Sequence, residues 1–251
     1  MRQLRKVIGM VLVLALTVCA LASCDLITGG KPEKLVASAD EFLKANPYTV
    51  DVRVTYESDD EDMASAIASF TGPSMQIKVN GDDFSVIMYL KNGDTQNFTQ
   101  FIFSGGSLYI ESSDGGKVLE SVAGPEEVAA MRESLGAGAN VTYEDFEEVD
   151  TKGIGKVHVI NCTKIKADAI ASLTAPLTEM LEIAFEDVEV TVHTASLSIE
   201  IEDDRYNVII LNCEYFITTP TDSYSIEMQY SMKFGYDEAV EITPPVYAEA
   251  N

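Results

Sequence analysis

The side chains that could do chemistry in this chain are few. There are two histidines, four cysteines and a large excess of carboxylates, 41 Asp and Glu against 17 Lys and Arg, for a formal charge of −24. His158 and His193 lie far apart, each inside an alternating strand pattern, which leaves little material for a histidine metal centre or an acid–base pair. Serines are plentiful, yet after residue 24 no Gly-x-Ser-x-Gly or Ser-x-x-Lys spacing sets a nucleophile beside a base. Acid runs at 59–62, 144–150 and 200–204 lack the alternating ligands and central glycine of a calcium loop. They read as solvated faces. Lys152-Gly153-Ile154-Gly155-Lys156 lacks the glycine spacing of a phosphate loop and reads as a turn into a strand. No enzyme activity, metal or cofactor is expected, and the negative charge argues against a nucleic-acid partner.

The cysteines are more informative. Arg2, Arg5 and Lys6 precede an apolar run over 7–16 that is short for a membrane span and right for an export signal. The run leads to Leu21-Ala22-Ser23-Cys24, which resembles the lipobox of bacterial lipoproteins. That resemblance implies a signal peptide over 1–23 and a Cys24 that carries diacylglycerol and an amide-linked acyl chain such as palmitate. A short tether over 24–31, with Thr28-Gly29-Gly30, would then hold the folded part at the outer face of the cytoplasmic membrane. Removing the signal takes away three cations and no acid, so attachment must come from lipid rather than from a basic surface. Cys162 and Cys213 remain as an even pair. They form either a disulfide or two buried thiols, depending on whether their strands adjoin.

The elements that must position these groups follow from hydrophobic period. Residues 32–251 are expected to form one β-rich domain. Leu35, Val36, Ala39, Phe42 and Leu43 recur at helical spacing until Pro47. Tyr48 to Tyr56 then alternates as a half-buried strand. The acids at 59–62 precede a short helix with Met63, Ala66, Ile67 and Phe70. Candidate strands at 75–79, 84–90, 98–103 and 108–111 are separated by Asn80-Gly81, Asn92-Gly93 and Gly105-Gly106. A helix is expected over 125–135, a strand over 156–165 and a longer helix over 167–185, kinked at Pro176. Strands over 188–202, 206–218 and 224–236 follow, with turns at Asp203-Asp204 and Pro220-Thr221-Asp222. The fold class is α+β, a curved antiparallel sheet with amphipathic helices to cover it.

Lipobox, early helix, long antiparallel strands and a closing Phe234-Gly235-Tyr236 through Val240-Glu241-Ile242-Thr243-Pro244-Pro245 together resemble extracytoplasmic lipoproteins of the LolA and LppX type. The resemblance implies a non-enzymatic half-barrel whose concave apolar face, closed by helices, holds acyl chains. Candidate lining residues are Phe84, Met88, Phe101, Phe103, Tyr215, Met228 and Tyr230 on strands, with Leu173, Leu177 and Leu181 on the covering helix. The same residues also suit a filled core, which is the rule for such side chains. Carriage of a hydrophobic ligand is therefore the leading expectation. The alternative is an envelope protein-interaction or sensor-partner module with a solid interior, whose acidic surface meets a basic protein.

Overall fold

The computed structural model describes residues 31–68, 74–92, 95–105, 107–113, 117–122, 141–154, 156–182, 187–236 and 240–244. The chain opens on α1 (Lys31–Ala45), β1 (Tyr48–Glu57) and α2 (Glu61–Ala68). A first meander follows: β2 (Ser74–Asn80), β3 (Asp83–Asn92), β4 (Thr95–Ser104), β5 (Ser107–Ser112) and β6 (Lys117–Val122). The second is β7 (Phe146–Ile154), β8 (Val157–Ile165), β9 (Glu189–Glu202), β10 (Arg205–Thr218) and β11 (Ser223–Gly235), with α3 (Ile170–Leu181) between β8 and β9.

All eleven strands form one antiparallel sheet in the order β6-β5-β4-β3-β2-β1-β11-β10-β9-β8-β7. Every neighbour is also a neighbour in sequence except one. β1 pairs with β11, from Thr49 opposite Gly235 to Glu57 opposite Glu227, and this single long-range ladder joins the two meanders. Among the described residues β6 and β7 have no second strand beside them, so the sheet is open.

Period-2 patterning puts one apolar face on the sheet from β8 across to β3. Ile160, Ile199, Ile209, Met232, Val52, Met75 and Met88 occupy one row across seven adjacent strands, and each is buried. Burying a side chain of that size is worth about 1.5–3 kcal/mol, so a one-residue slip that turned the row outward would unfold the domain. α1 packs on β10 and β9, α3 on β9, and α2 on β1.

Local chemistry sets the element ends. Asp60 accepts a 2.9 Å hydrogen bond from the Met63 amide, which makes the 59–62 acid run a cap for α2. Asp203 and Asp204 both have positive φ, 51° and 61°, in the two-residue turn between β9 and β10, and Asp tolerates that region better than most residues.

Three expectations about elements need correction. β7 replaces what read as acidic surface, and β6 is a strand that no alternation announced. As an edge strand β7 is rich in charge, with Glu147, Glu148, Asp150 and Lys152, a composition that discourages pairing with other chains and also hides a strand from a hydrophobic-alternation reading. Lys152 to Lys156 does lead into β8 as expected, but Lys152, Gly153 and Ile154 already belong to β7 and pair with β8. α3 starts at Ile170, later than expected, and continues through Pro176 to Leu181. The helix expected over 125–135 lies outside the described residues.

Candidate functional site

The ten residues expected to line a hydrophobic cavity do share the apolar side of the sheet. Phe84, Met88, Phe103, Tyr215, Met228 and Tyr230 are buried, as are Leu173, Leu177 and Leu181 of α3, and Phe101 is half-buried against them. All ten belong to one continuous hydrophobic core. Phe84 and Phe103, opposite each other on β3 and β4, stack at 5.3 Å between ring centres. Tyr215 donates a hydrogen bond to the Leu173 carbonyl at 3.4 Å and stands 3.8 Å from the Met228 sulfur, which ties α3 to the sheet. These are the contacts of a packed interior.

Cys162 and Cys213 do not pair; both are buried free thiols. Cys162 sits opposite Leu197 and Cys213 opposite Ala195, so β9 lies between them. Two strand spacings are about 10 Å, beyond the reach of a disulfide without backbone movement. Burial pushes the Cys162 thiol up to about 12 and Cys213 to about 11, so both behave as small apolar groups.

One acid occupies the apolar stripe of α1. Asp40 is 8% exposed and accepts a 2.8 Å hydrogen bond from the Tyr206 hydroxyl. Burial raises its carboxyl from 3.8 to about 6, against the smaller opposing pulls of that hydrogen bond and of Lys44.

A groove of about 730 Å³ lies on the outward side of the second meander, lined by polar side chains and also by apolar residues that include Ile165, Ile170 and Val192, within the range of small-ligand sites. Two rungs of the ladder build most of it. Thr55, Gln229, Asn212, Ser196 and Thr163 form the first, on β1, β11, β10, β9 and β8. Gln229 donates to the Asn212 side-chain oxygen at 3.0 Å, which orders the amides along that row. Glu57, Glu227, Glu214 and Thr194 form the second. Three carboxylates are thereby opposite one another on adjacent strands, an arrangement that destabilises a sheet unless something compensates it. Thr194 donates to Glu214 at 3.3 Å. Lys164, the lysine in the wall, is already engaged with Glu147 of β7, and its φ of 61° is unusual for a long side chain.

The far wall is made by a β-bulge. Register between β9 and β10 shifts where Glu214 pairs with Thr194 and Tyr215 with Val192, so His193 is the extra residue. The bulge turns His193 outward, where its ring meets Phe216 edge-on at 5.0 Å. Phe216 is 43% exposed, one of the few large apolar side chains so placed. His193 thus lies at the surface within β9, the strand that the alternation predicted, but as the extra residue of a bulge. Among the described residues no group of His, Cys, Asp and Glu has the geometry to hold a metal ion.

None of the groove carboxylates was singled out from sequence. Each reads alone as an outward residue of an alternating strand, and only the register places Glu57, from near the N-terminus, beside Glu214 and Glu227. Leu21, Ala22, Ser23 and Cys24 lie outside the described residues. No helix among the described residues is long and apolar enough to cross a membrane.

No family model matches the chain, and no curated protein matches it. Among solved structures it is similar to the ywiB protein from Bacillus subtilis, at 9% identity over 76% of this chain and 92% of that one, with a TM-score of 0.17. A likeness at that score carries no argument about fold or function.

Proposed function

We propose that this protein is a lipid-anchored extracytoplasmic binding module whose polar groove receives a cationic segment of a partner protein. The single observation that carries the reading is the Glu57–Glu227–Glu214 rung inside a groove whose lysine is already engaged. Like charges fixed opposite one another are a local conflict in the fold, and such conflicts concentrate where a surface is shaped for a ligand. The amide and hydroxyl row beside it offers hydrogen bonds, and Phe216 with His193 offers an apolar edge for the stem of a lysine or arginine. The overall charge of −24 would steer such a partner towards the surface. Cys24 with the preceding Leu21, Ala22 and Ser23 supplies the membrane anchor in this reading, and the mature part works at the outer face of the cytoplasmic membrane.

The test is titration with a short oligolysine peptide at low and high salt. Binding should weaken steeply as salt shortens the screening length. It should be lost in the Glu57→Gln, Glu214→Gln, Glu227→Gln variant. A second variant with the same charge change on the exposed helix side, Glu41→Gln, Glu179→Gln, Glu182→Gln, should bind as the parent does. Equal loss in both variants would reduce the groove to a share of the general acidity and end the proposal.

A second reading, carriage of an acyl chain in a LolA or LppX type half-barrel with covering helices, has one observation in its favour. Its ten candidate residues share a single face with a helix, α3, packed at one side. That reading requires the filled core to open, and co-purification of lipid with the chain would support it.

A further inference from the structure

We infer that α1 is a pH-sensitive clasp: its seat on the sheet, made through Asp40 and Tyr206, tightens in acid and loosens towards alkaline pH. The geometry is that of a helix held by few contacts with a carboxyl group in their midst. Val36, Ala39 and Asp40 are the residues of α1 that are buried. Phe42 meets Tyr236 edge-on at 5.2 Å, and the Arg205 guanidinium lies 4.6 Å above the Phe42 ring. Tyr206 links helix to sheet, donating to Asp40, while the Tyr236 hydroxyl donates to the Tyr206 carbonyl at 2.8 Å. An apolar residue at position 40 would complete the stripe. The acid there makes docking depend on its protonation state.

Lys44 follows one turn on along α1 and favours the carboxylate, though less than burial opposes it. Glu33, two turns back, has a buried Oε2 with no hydrogen-bond partner among the described residues, and Glu41 points outward. The sheet presents Tyr206 and Arg205 from β10, Tyr236 follows β11, and Tyr143 also acts on Tyr206. The carboxyl is raised from 3.8 to about 6 when docked. Protonation therefore adds docking stability that is complete below about pH 3.8 and gone once the pH has risen through about 6. On the anchored reading above, α1 is the first folded element after the tether, so its release would lengthen the link to the membrane by about 22 Å even if it stayed helical.

Hydrogen exchange on the full chain in detergent, corrected for the intrinsic pH dependence of exchange, measures the clasp directly and does not depend on the groove. The opening equilibrium of α1 amides should increase about ten-fold from pH 5 to pH 8, while β9, β10 and β11 stay level. Asp40→Asn should abolish the difference and keep α1 as protected at pH 8 as the parent is at pH 5. Tyr206→Phe removes a hydrogen bond that holds the carboxyl down, so its midpoint should move above the parent's, which keeps the test open if the first variant folds poorly. Equal α1 protection at both pH values in the parent, or opening of α1 and the sheet in step, would overturn the inference.

Discussion

Leu177→Ala decides whether the interior beneath α3 is filled. Leu177 is 3% exposed, with Leu173 one turn before it at 5% and Leu181 one turn after it at 1%. All three face the sheet where Tyr215 reaches the Leu173 carbonyl. In a filled core the substitution removes about 2.4 kcal/mol of transfer free energy, from three carbons at about 0.8 each. The void left behind brings the loss to about 3 kcal/mol, inside the measured range for such changes. Alanine's better helix propensity returns only a few tenths. Against a pre-existing hollow there is no new void and fewer contacts to lose, and the loss falls to about 1 kcal/mol. Urea unfolding of the chain from Asp25 onward measures this. A loss of about 3 kcal/mol moves the midpoint down by about 1 M or more with an unchanged slope. Glu179→Ala, outward on the same helix, is the control and should stay within about 0.5 kcal/mol. A loss near 1 kcal/mol for Leu177→Ala and Leu181→Ala alike would refute the packed interior and revive ligand carriage.

Two further outcomes follow from the cysteines. A thiol reagent at pH 8 should leave Cys162 and Cys213 untouched in the native protein and label both after denaturation, and a reductant should not move Tm; a peptide linked between residues 162 and 213, seen by mass spectrometry, would contradict this. Cys24→Ser should shift the protein from the membrane fraction to the soluble one without changing its affinity for oligolysine; undiminished membrane association would remove the anchor from the proposed function.

How much of this was legible beforehand depended on whether the signal was local. β1, β9, β10 and β11 announce themselves because each alternates over many residues, with turn residues such as Asp203-Asp204 at their ends. α1 was equally clear, except that Asp40 sits in its apolar stripe and only the position of Tyr206 reveals what it does there. β7 was missed because an edge strand protects itself with charge, and β6, at the other edge, is only six residues long. The bulge at His193 was missed because one extra residue shows only against a partner strand.

The amino-acid sequence by itself determined the acidic surface, the two families of strands, most of their turns and which side of each strand is apolar, since these depend on neighbours within a few residues. Only the tertiary structure decided that β1 lies beside β11, that β9 separates Cys162 from Cys213, and that Glu57, Glu227 and Glu214 share a rung. The physical reason is the same for all three. Register between strands far apart in sequence is fixed by burying a common apolar face, and the outward side chains are carried into place by that choice without having any part in making it.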